Sequence, residues 1–230
     1  FNTLTGLRQK TGNFPGVTMD KLTGIWELGP KNQIEILDLP GIYSIYPKSI
    51  DEELVINILG NPAHPDYPDM AIVVADASNL KRNLLLFSQV RDLGIPTVLA
   101  LNMIDVAENE GYVINSIKLA RELSVEVAEV NAKKGIGVNG LKLSVQKTLE
   151  NRFASNDGLP LPVSDELITE IQAAFGEVDP YRCLLWLMEH DRMKMFTKAQ
   201  CDVLDQITVK HSFEPKKYKS AETVKRYEFL

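Results

Sequence analysis

Short apolar segments alternate with helical stretches over the first 150 residues, and this alternation restricts the fold more than any other feature of the chain. It is typical of an α/β fold, in which helices flank a mostly parallel sheet. The turn-like composition of Gly29-Pro30-Lys31-Asn32 predicts an antiparallel hairpin around it. The predicted strands are Thr23–Leu28, Gln33–Leu37, Ala71–Ala75, Thr97–Leu101 and Val125–Val130, and the predicted helices are Ile50–Leu59, Leu80–Leu93, Ile114–Leu123 and Val138–Leu149, with Asn79 and Asn115 as candidate caps.

The pattern changes after residue 150. Residues 151–162 are rich in Asn, Ser, Asp, Gly and Pro, which is the composition of a linker. The remaining chain predicts helices only, so we expect an α/β domain at 1–150 and a small all-α subdomain at 151–230. The predicted helices are Ser164–Phe175, where Ser164 starts the helix, Pro180–His190, where Pro180 suits the first turn, Thr197–Val209 and Ser220–Glu228.

Composition excludes several classes of protein. Hydrophobic residues make up 44% of the chain and charged residues 24%, as in ordinary globular proteins, so the chain is neither disordered nor fibrous. The formal net charge of −6 makes nucleic acid a poor partner, because phosphate binding needs a basic surface. No apolar run approaches the ~20 residues of a membrane helix. The two cysteines form no metal-binding pattern and fit a reducing compartment.

The end of the chain has the opposite charge. Residues 210–230 hold six basic and three acidic side chains. One interpretation is a solvated helix end. The other is a segment close to anionic lipid, because the cytoplasmic flanks of membrane spans collect Lys and Arg.

Two motifs follow predicted strands. Asp38, Leu39, Pro40 and Gly41 come directly after Gln33–Leu37. A carboxylate at the end of a parallel strand lies at the ligand-binding edge of an open sheet, and the glycine lets a backbone N–H approach a terminal phosphate. Asn102, Met103, Ile104 and Asp105 follow Thr97–Leu101. Asn102 can tie neighbouring loops together, and Asp105 can accept two N–H bonds from guanine, which adenine cannot supply.

Two further segments extend this pattern. Asn131, Ala132 and Lys133 follow Val125–Val130, where a backbone amide can contact guanine O6 and a lysine stem can cover the base. Gly16, Val17 and Thr18, followed by Met19 and Asp20, lie in a loop rich in Gly and Pro. There the hydroxyl of Thr18 can reach Mg²⁺ beside a γ-phosphate. The order and spacing of the four segments are those of a GTPase.

The detailed residues narrow the resemblance. The segments Gly12-Asn13-Phe14-Pro15-Gly16-Val17-Thr18, Asp38-Leu39-Pro40-Gly41-Ile42-Tyr43-Ser44 and Asn102-Met103-Ile104-Asp105 resemble the N-terminal G domain of FeoB, a family of bacterial ferrous iron transporters. The resemblance implies a P-loop-GTPase-like sheet followed by a helical domain similar to a guanine-dissociation inhibitor. It also implies a cytoplasmic domain of an inner-membrane protein that binds GTP or GDP with Mg²⁺ and regulates iron uptake, with the transporter's own membrane domain as partner.

Three departures from ordinary small GTPases qualify this expectation. Met103 replaces the usual lysine of the guanine motif, and its apolar stem can still cover a purine. Ile42 stands where Ras-like proteins place a water-orienting glutamine, so we expect slow hydrolysis. The sequence contains no Gly-x-x-x-x-Gly-Lys-Ser/Thr motif, and begins with what looks like the end of the helix that follows such a loop. We therefore expect the chain as printed to be inactive as a GTPase.

Further expectations concern ions and partners. Oxygens of Asn2, Thr3, Thr5 and Gly6 lie at a predicted helix C-terminus, where the helix dipole favours a cation such as K⁺. Without the first strand of the sheet, exposed strand edges can lead to a homo-oligomer. The competing hypotheses are an interaction module that needs no nucleotide and a ribosome-associated GTPase. The acidic charge and the lack of an RNA-binding domain weigh against the latter.

Overall fold

The computed structural model describes residues 1–8, 22–30, 32–151 and 158–230. Its strands are β1 (Leu22–Gly29), β2 (Asn32–Asp38), β3 (Ala71–Asp76), β4 (Thr97–Asn102) and β5 (Glu126–Glu129). Its helices are α1 (Asn2–Thr5), α2 (Ile50–Leu59), α3 (Leu80–Asp92), α4 (Ile104–Asn109), α5 (Ser116–Leu123), α6 (Val138–Asn151), α7 (Asp165–Phe175), α8 (Pro180–Glu189), α9 (Lys198–Lys210) and α10 (Pro215–Phe229). The predicted α/β class is confirmed.

Three parallel strands form the main sheet, in the order β3–β4–β5. Asp76 of β3 lies opposite Asn102 of β4, and Leu101 of β4 lies opposite Glu129 of β5. The central strand β4 is buried on both faces, which explains its continuous apolar sequence. The carboxyl ends of β4 and β5 therefore meet at one edge, and the Asn102 and Asn131 loops leave from there.

The predicted hairpin is confirmed, but its place in the sheet differs from the expectation. β1 pairs with β2 in antiparallel register, from Leu22 opposite Asp38 to Gly29 opposite Asn32. Among the described strands, β2 pairs with β1 alone, so Asp38 ends an antiparallel strand and not a strand of the parallel sheet. β2 and β3 consequently each have one edge without a described partner strand.

Helix α6 packs against the apolar residues of both sheets. Its Leu141 and Val145 lie in one buried cluster with Trp26 of β1, Val98 of β4 and Ala128 of β5. Gln146 on the same helix donates a hydrogen bond to the carbonyl of Leu28 at 3.1 Å. The hairpin and the parallel sheet therefore share one core, although they are separate in hydrogen bonding.

Most predicted helix ends agree with the structure. The side chain of Asn115 accepts a bond from the amide of Lys118 at 2.8 Å and so begins α5. Ser164 begins α7, and Pro180 is in the first turn of α8. The prediction that Asn79 caps a helix, however, is wrong. It ends a short 3₁₀ turn, which Asp76 caps by accepting a bond from the amide of Ser78 at 2.9 Å.

Two helices differ more from the expectation. The short helix α4 follows the Asn102 loop directly and was not predicted. The last helix starts at Pro215 and not at Ser220, because proline is well tolerated in the first turn and the Lys-rich residues after it continue the helix. In the predicted linker, Asn151 is the last residue of α6, and residues 152–157 lie outside the described part of the chain.

The chain forms two compact units that interleave in sequence. The first comprises Phe1–Gly41, Asp69–Asn83 and Pro96–Ala154, and the second Ile42–Pro68, Leu84–Ile95 and Ser155–Leu230. The domain boundary predicted near residue 150 stays a prediction. No helix in the described ranges is both long and apolar enough to cross a membrane.

The second unit has an apolar centre that contains buried polar groups. Trp186 of α8 donates from Nε1 to the carbonyl of Gly60 at 2.8 Å. Arg182 on the same helix is buried and donates to the carbonyls of Leu59 and Leu93. These bonds satisfy carbonyls at the ends of α2 and α3, where the helix itself supplies no donor.

Candidate functional site

The two loops that follow β4 and β5 are joined by a hydrogen bond. The amide of Ala132 donates to Oδ1 of Asn102 at 3.0 Å, so Asn102 ties the loops together as its position predicts. The same bond engages the Ala132 N–H. The sequence predicts that a backbone amide of this loop contacts guanine O6, and the Ala132 amide is already bonded to Asn102.

The loop after β5 is a tight turn. The amide of Asn131 donates to the carbonyl of Ile136 at 2.9 Å, and the side chain of Asn131 accepts from the amide of Lys134 at 3.0 Å. Gly137 has a φ of +80°, and a Cβ there would lie 2.0 Å from the carbonyl oxygen of Glu129. Only glycine fits at that position, and it lets the chain turn directly into α6.

Asp105 lies in the first turn of α4, just after a residue in the left-handed conformation. Met103 has a φ of +61° and its side chain is exposed, while Ile104 is half-buried. Lys134 donates from Nζ to Oδ2 of Asp105 at 2.8 Å. This hydrogen bond lowers the pKa of the Asp105 carboxyl, which therefore stays ionised at neutral pH.

Sequence reasoning missed Lys134. It selected the neighbouring Lys133, which is exposed and makes no hydrogen bond or ion pair within the described residues. The only signal in the sequence was the presence of two consecutive lysines. Their side chains leave a turn in different directions, so their order alone does not show which one reaches Asp105.

The first residues of the chain contact the loop after β5. Thr3 of α1 donates from Oγ1 to the carbonyl of Ala132 at 2.7 Å, a contact that the sequence did not predict. Thr5 donates from Oγ1 to the carbonyl of Phe1 at 3.2 Å, and the amide of Gly6 caps the carbonyl of Asn2. The assignment of Asn2, Thr3, Thr5 and Gly6 to a cation stays a prediction.

The Asp38 loop leaves room for a ligand. Asp38 is exposed and its carboxylate makes no hydrogen bond within the described residues, Leu39 is half-buried and Pro40 is buried. A Cβ built on Gly41 would have no atom within 4 Å, so a phosphate can approach its backbone.

The chemistry of this loop fits Mg²⁺, which prefers carboxylate, hydroxyl and phosphate oxygens. Within residues 1–8, 22–30, 32–151 and 158–230, no three His, Cys, Asp or Glu side chains form a metal-binding group. The predicted residues Gly16, Val17, Thr18, Met19 and Asp20 lie outside the described residues.

Comparison with known proteins places these features in a family. The model of the family described as "Ferrous iron transport protein B" matches residues 1–145. The "Fe(2+) transporter FeoB" of Escherichia coli strain K12 is 36% identical over 184 residues, which cover 78% of this chain and 22% of that protein. The chain spans about a fifth of the length of the curated relatives it matches.

Solved structures agree over almost the whole chain. The cytosolic domain of L. pneumophila FeoB is 29% identical, with a TM-score of 0.73 over 99% of this chain and 88% of that one. The mGMPPNP-bound NFeoB of S. thermophilus is 31% identical, with a TM-score of 0.68 over 99% of this chain and 88% of that one. Because the family model covers more than half of the chain, the chain belongs to the ferrous iron transport protein B family, FeoB, and corresponds to its N-terminal G domain.

Proposed function

We propose that this chain is a guanine-nucleotide-binding regulatory domain that hydrolyses GTP slowly and controls ferrous iron passage through a bacterial inner-membrane transporter. The observation that carries the proposal is the junction of two loops, where Asn102 holds Ala132 and leaves the carboxylate of Asp105 partly exposed beside them. A relative with 31% identity was solved with mGMPPNP bound, which supports a guanine nucleotide as the ligand.

Base recognition is assigned to this junction. The two oxygens of Asp105 accept the N1–H and the 2-amino group of guanine, and an adenine in the same place leaves them unpaired. A site built around such paired bonds rejects the base that lacks them. The exposed apolar side chain of Met103 covers one face of the purine. The stem of Lys133, in the loop Asn131–Lys133, covers the other face.

Phosphate recognition is assigned to Asp38, Leu39, Pro40 and Gly41 together with the segment from Gly16 to Asp20. Mg²⁺, when bound, neutralises charge on the phosphates. Asp38 and Thr18 would hold it directly or through water. A K⁺ ion near Asn2, Thr3, Thr5 and Gly6 is a further part of the proposal. Ile42 cannot orient an attacking water, so hydrolysis is slow.

The residues after Gly41 provide a route for nucleotide state to reach the helices. The compact units change between Gly41 and Ile42, and the residues from Ile42 to Tyr46 belong to the second unit. The amide of Ile45 donates to Oε1 of Gln89 at 3.1 Å, and the hydroxyl of Tyr46 lies 3.4 Å from that of Tyr181.

That contact continues to the last helix. Tyr181 donates from its hydroxyl to Oε1 of Glu222 at 2.9 Å, and Arg226 donates to the same carboxylate. We propose that ordering of residues 41–50 by a γ-phosphate is relayed through Tyr46 and Tyr181 to α10, and from there to the transporter's membrane domain.

Competition binding tests the nucleotide proposal. Full-length protein should release a bound fluorescent GDP analogue when GDP is added. ADP should need at least about 100-fold higher concentration for the same release, because losing a pair of hydrogen bonds to a charged group costs ~3 kcal/mol. Equal competition by GDP and ADP would contradict the proposal.

A second candidate function rests on the strand edges. β2 and β3 each present one edge without a described partner, so a module that associates with a second copy through strand addition is the alternative. Sedimentation of full-length protein, with and without GDP, distinguishes the two functions. A stable dimer that is indifferent to GDP favours the interaction module.

A further inference from the structure

The carboxylate that the proposed function assigns to guanine already has a ligand from the protein itself. Lys134 Nζ lies 2.8 Å from Oδ2 of Asp105. Guanine needs both carboxylate oxygens, because its N1–H and its 2-amino group point in the same direction and each donates to one oxygen. The lysine therefore already contacts Oδ2, one of the two oxygens that the base would use.

The backbone of Lys134 is held in place, but its side chain is free to leave. The turn is closed by the bond from Asn131 to Ile136 and by the bond from the Lys134 amide to the Asn131 side chain. The side chain of Lys134 is 58% exposed and that of Asp105 is 39% exposed. A pair this exposed is weak, so a ligand that supplies two donors can displace the lysine.

We propose that Lys134 is a competitor built into the site, which pairs with Asp105 when the site is empty and is displaced when guanine binds. The inference rests on the proposed function, because it assumes that Asp105 reads the base. Pairing keeps the carboxylate ionised and oriented in the empty protein. It also makes part of the guanine contact an exchange of one partner for another, so Lys134 sets the affinity for every guanine nucleotide.

The proposal differs from two other roles for a lysine in this place. A lysine that contacts the bound base or ribose would strengthen binding, and its removal would weaken it. A lysine that only stiffens the loop would change thermal stability without a dependence on Asp105. A competitor instead lowers affinity, and does so only while the carboxylate is present.

The test measures GDP affinity of full-length protein with Lys134→Met, which keeps the stem and removes the charge. At low salt the variant should bind GDP about 2- to 5-fold more tightly than the parent, which is the range of an exposed ion pair. The difference should vanish towards ~1 M salt, where the screening length falls to about 3 Å. Lys147→Met is the matched control. Lys147 lies on α6, away from the base loops, is about as exposed as Lys134, and pairs with Glu126 of β5 at 3.6 Å.

A second background separates competition from loop stiffening. In Asp105→Asn protein, assayed with XDP, adding Lys134→Met should leave the affinity unchanged, because no carboxylate is left to pair with. Unchanged or weaker GDP binding by Lys134→Met, in a parent that binds GDP, overturns the inference and leaves the proposed function standing. A parent that binds no guanine nucleotide overturns both.

Discussion

Arg226 Nη1 donates to Oδ2 of Asp92 at 2.7 Å, which joins α10 to the end of α3 across 134 residues of sequence. The two side chains are 1% and 3% exposed. The same guanidinium also donates from Nε to Glu222 and lies 4.6 Å from the ring centre of Tyr181. Arg91 pairs with the other oxygen of Asp92 at 3.2 Å, so two buried cations face two buried carboxylates and Arg226 alone contacts both.

Replacing Arg226 with methionine should destabilise the chain strongly. The change leaves Glu222 buried without its counter-charge and leaves Asp92 with Arg91 alone, which costs about 3–5 kcal/mol. Urea unfolding measures the loss. The neighbouring Lys225→Met is the control, since Lys225 is exposed and its loss should change the free energy of unfolding by less than about 0.5 kcal/mol. Equal effects of the two variants would contradict the central role of Arg226.

The buried carboxyl of Glu189 should make stability depend on pH in an unusual direction. Burial raises its pKa, although Lys219 and Arg192 lie near it. The stability that this group contributes is therefore present below its unfolded pKa of about 4.3 and is lost as the pH rises through the higher folded value. Glu189→Gln cannot ionise, so its stability relative to the parent should increase between pH 4 and pH 7 in urea titrations.

Glu170 provides the control of opposite sign. Hydrogen bonds from Lys210 and His211 lower its pKa, so its contribution is present above the unfolded pKa and is lost as the pH falls through the folded value. Glu170→Gln should accordingly lose stability relative to the parent as the pH rises from 3 to 6. If both variants shift in the same direction, the two pKa assignments are wrong.

Thr18→Ala should separate the response to GTP from the affinity for GDP. The Thr18 hydroxyl is assigned to Mg²⁺ and the γ-phosphate, so GDP has little to lose. We expect less than a 2-fold change for GDP and at least about a 10-fold loss for a non-hydrolysable GTP analogue, equivalent to ~1.4 kcal/mol. Calorimetry of full-length protein with both ligands measures this. Equal weakening would show that the switch assignment is wrong.

Asp105→Asn should exchange the preferred base. The amide donates where the carboxylate accepted, so it pairs with the 2-carbonyl of xanthine and no longer with the 2-amino group of guanine. Loss of the charged hydrogen bonds should weaken GDP by about 10- to 100-fold, from ~1.5–3 kcal/mol, and XDP should then bind more tightly than GDP. Retained preference for GDP would remove Asp105 from the base site.

The chain printed from Phe1 to Leu230 should bind GDP feebly and should not hydrolyse GTP measurably. The loops to which we assign base recognition are present, but the chain carries no Gly-x-x-x-x-Gly-Lys-Ser/Thr loop. Each preorganised donor lost near the phosphates costs on the order of 3 kcal/mol at a transition state. Calorimetry at high protein concentration decides the matter. Micromolar binding would mean that another part of the chain holds the phosphates.

Local patterns predicted most of the fold. The hairpin, the three parallel strands and the helices capped by Asn115 and Ser164 depend on residues close together in sequence. The helix α4 was missed because it is short and directly follows Met103, a residue with positive φ that separates it from β4. The hairpin partner of β2 was predicted correctly, but the expectation that Asp38 ends a parallel strand was wrong, because partner choice is set by the whole sheet and not by the strand.

The site shows the same division. The Asn102 and Asn131 loops were found because each follows an apolar strand, and parallel neighbours bring their ends together. The pair between Asp105 and Lys134 and the bond from Thr3 to Ala132 could not be predicted. They depend on the turn at 131–136 and on a helix that lies more than 120 residues away in sequence.

The interleaving of the two units has a consequence for synthesis of the protein. Residues 42–68 leave the ribosome long before α8, which bonds to Leu59 and Gly60, and α10, whose Lys219 lies over the ring of Tyr46. The apolar face of α2 therefore stays exposed in the nascent chain until these helices are made. Its buried residues are Val55, Ile56, Ile58 and Leu59. The first unit and the second unit therefore cannot fold one after the other during translation. A gene cut at residue 150 would yield a product that keeps that apolar face exposed, and so one prone to aggregate.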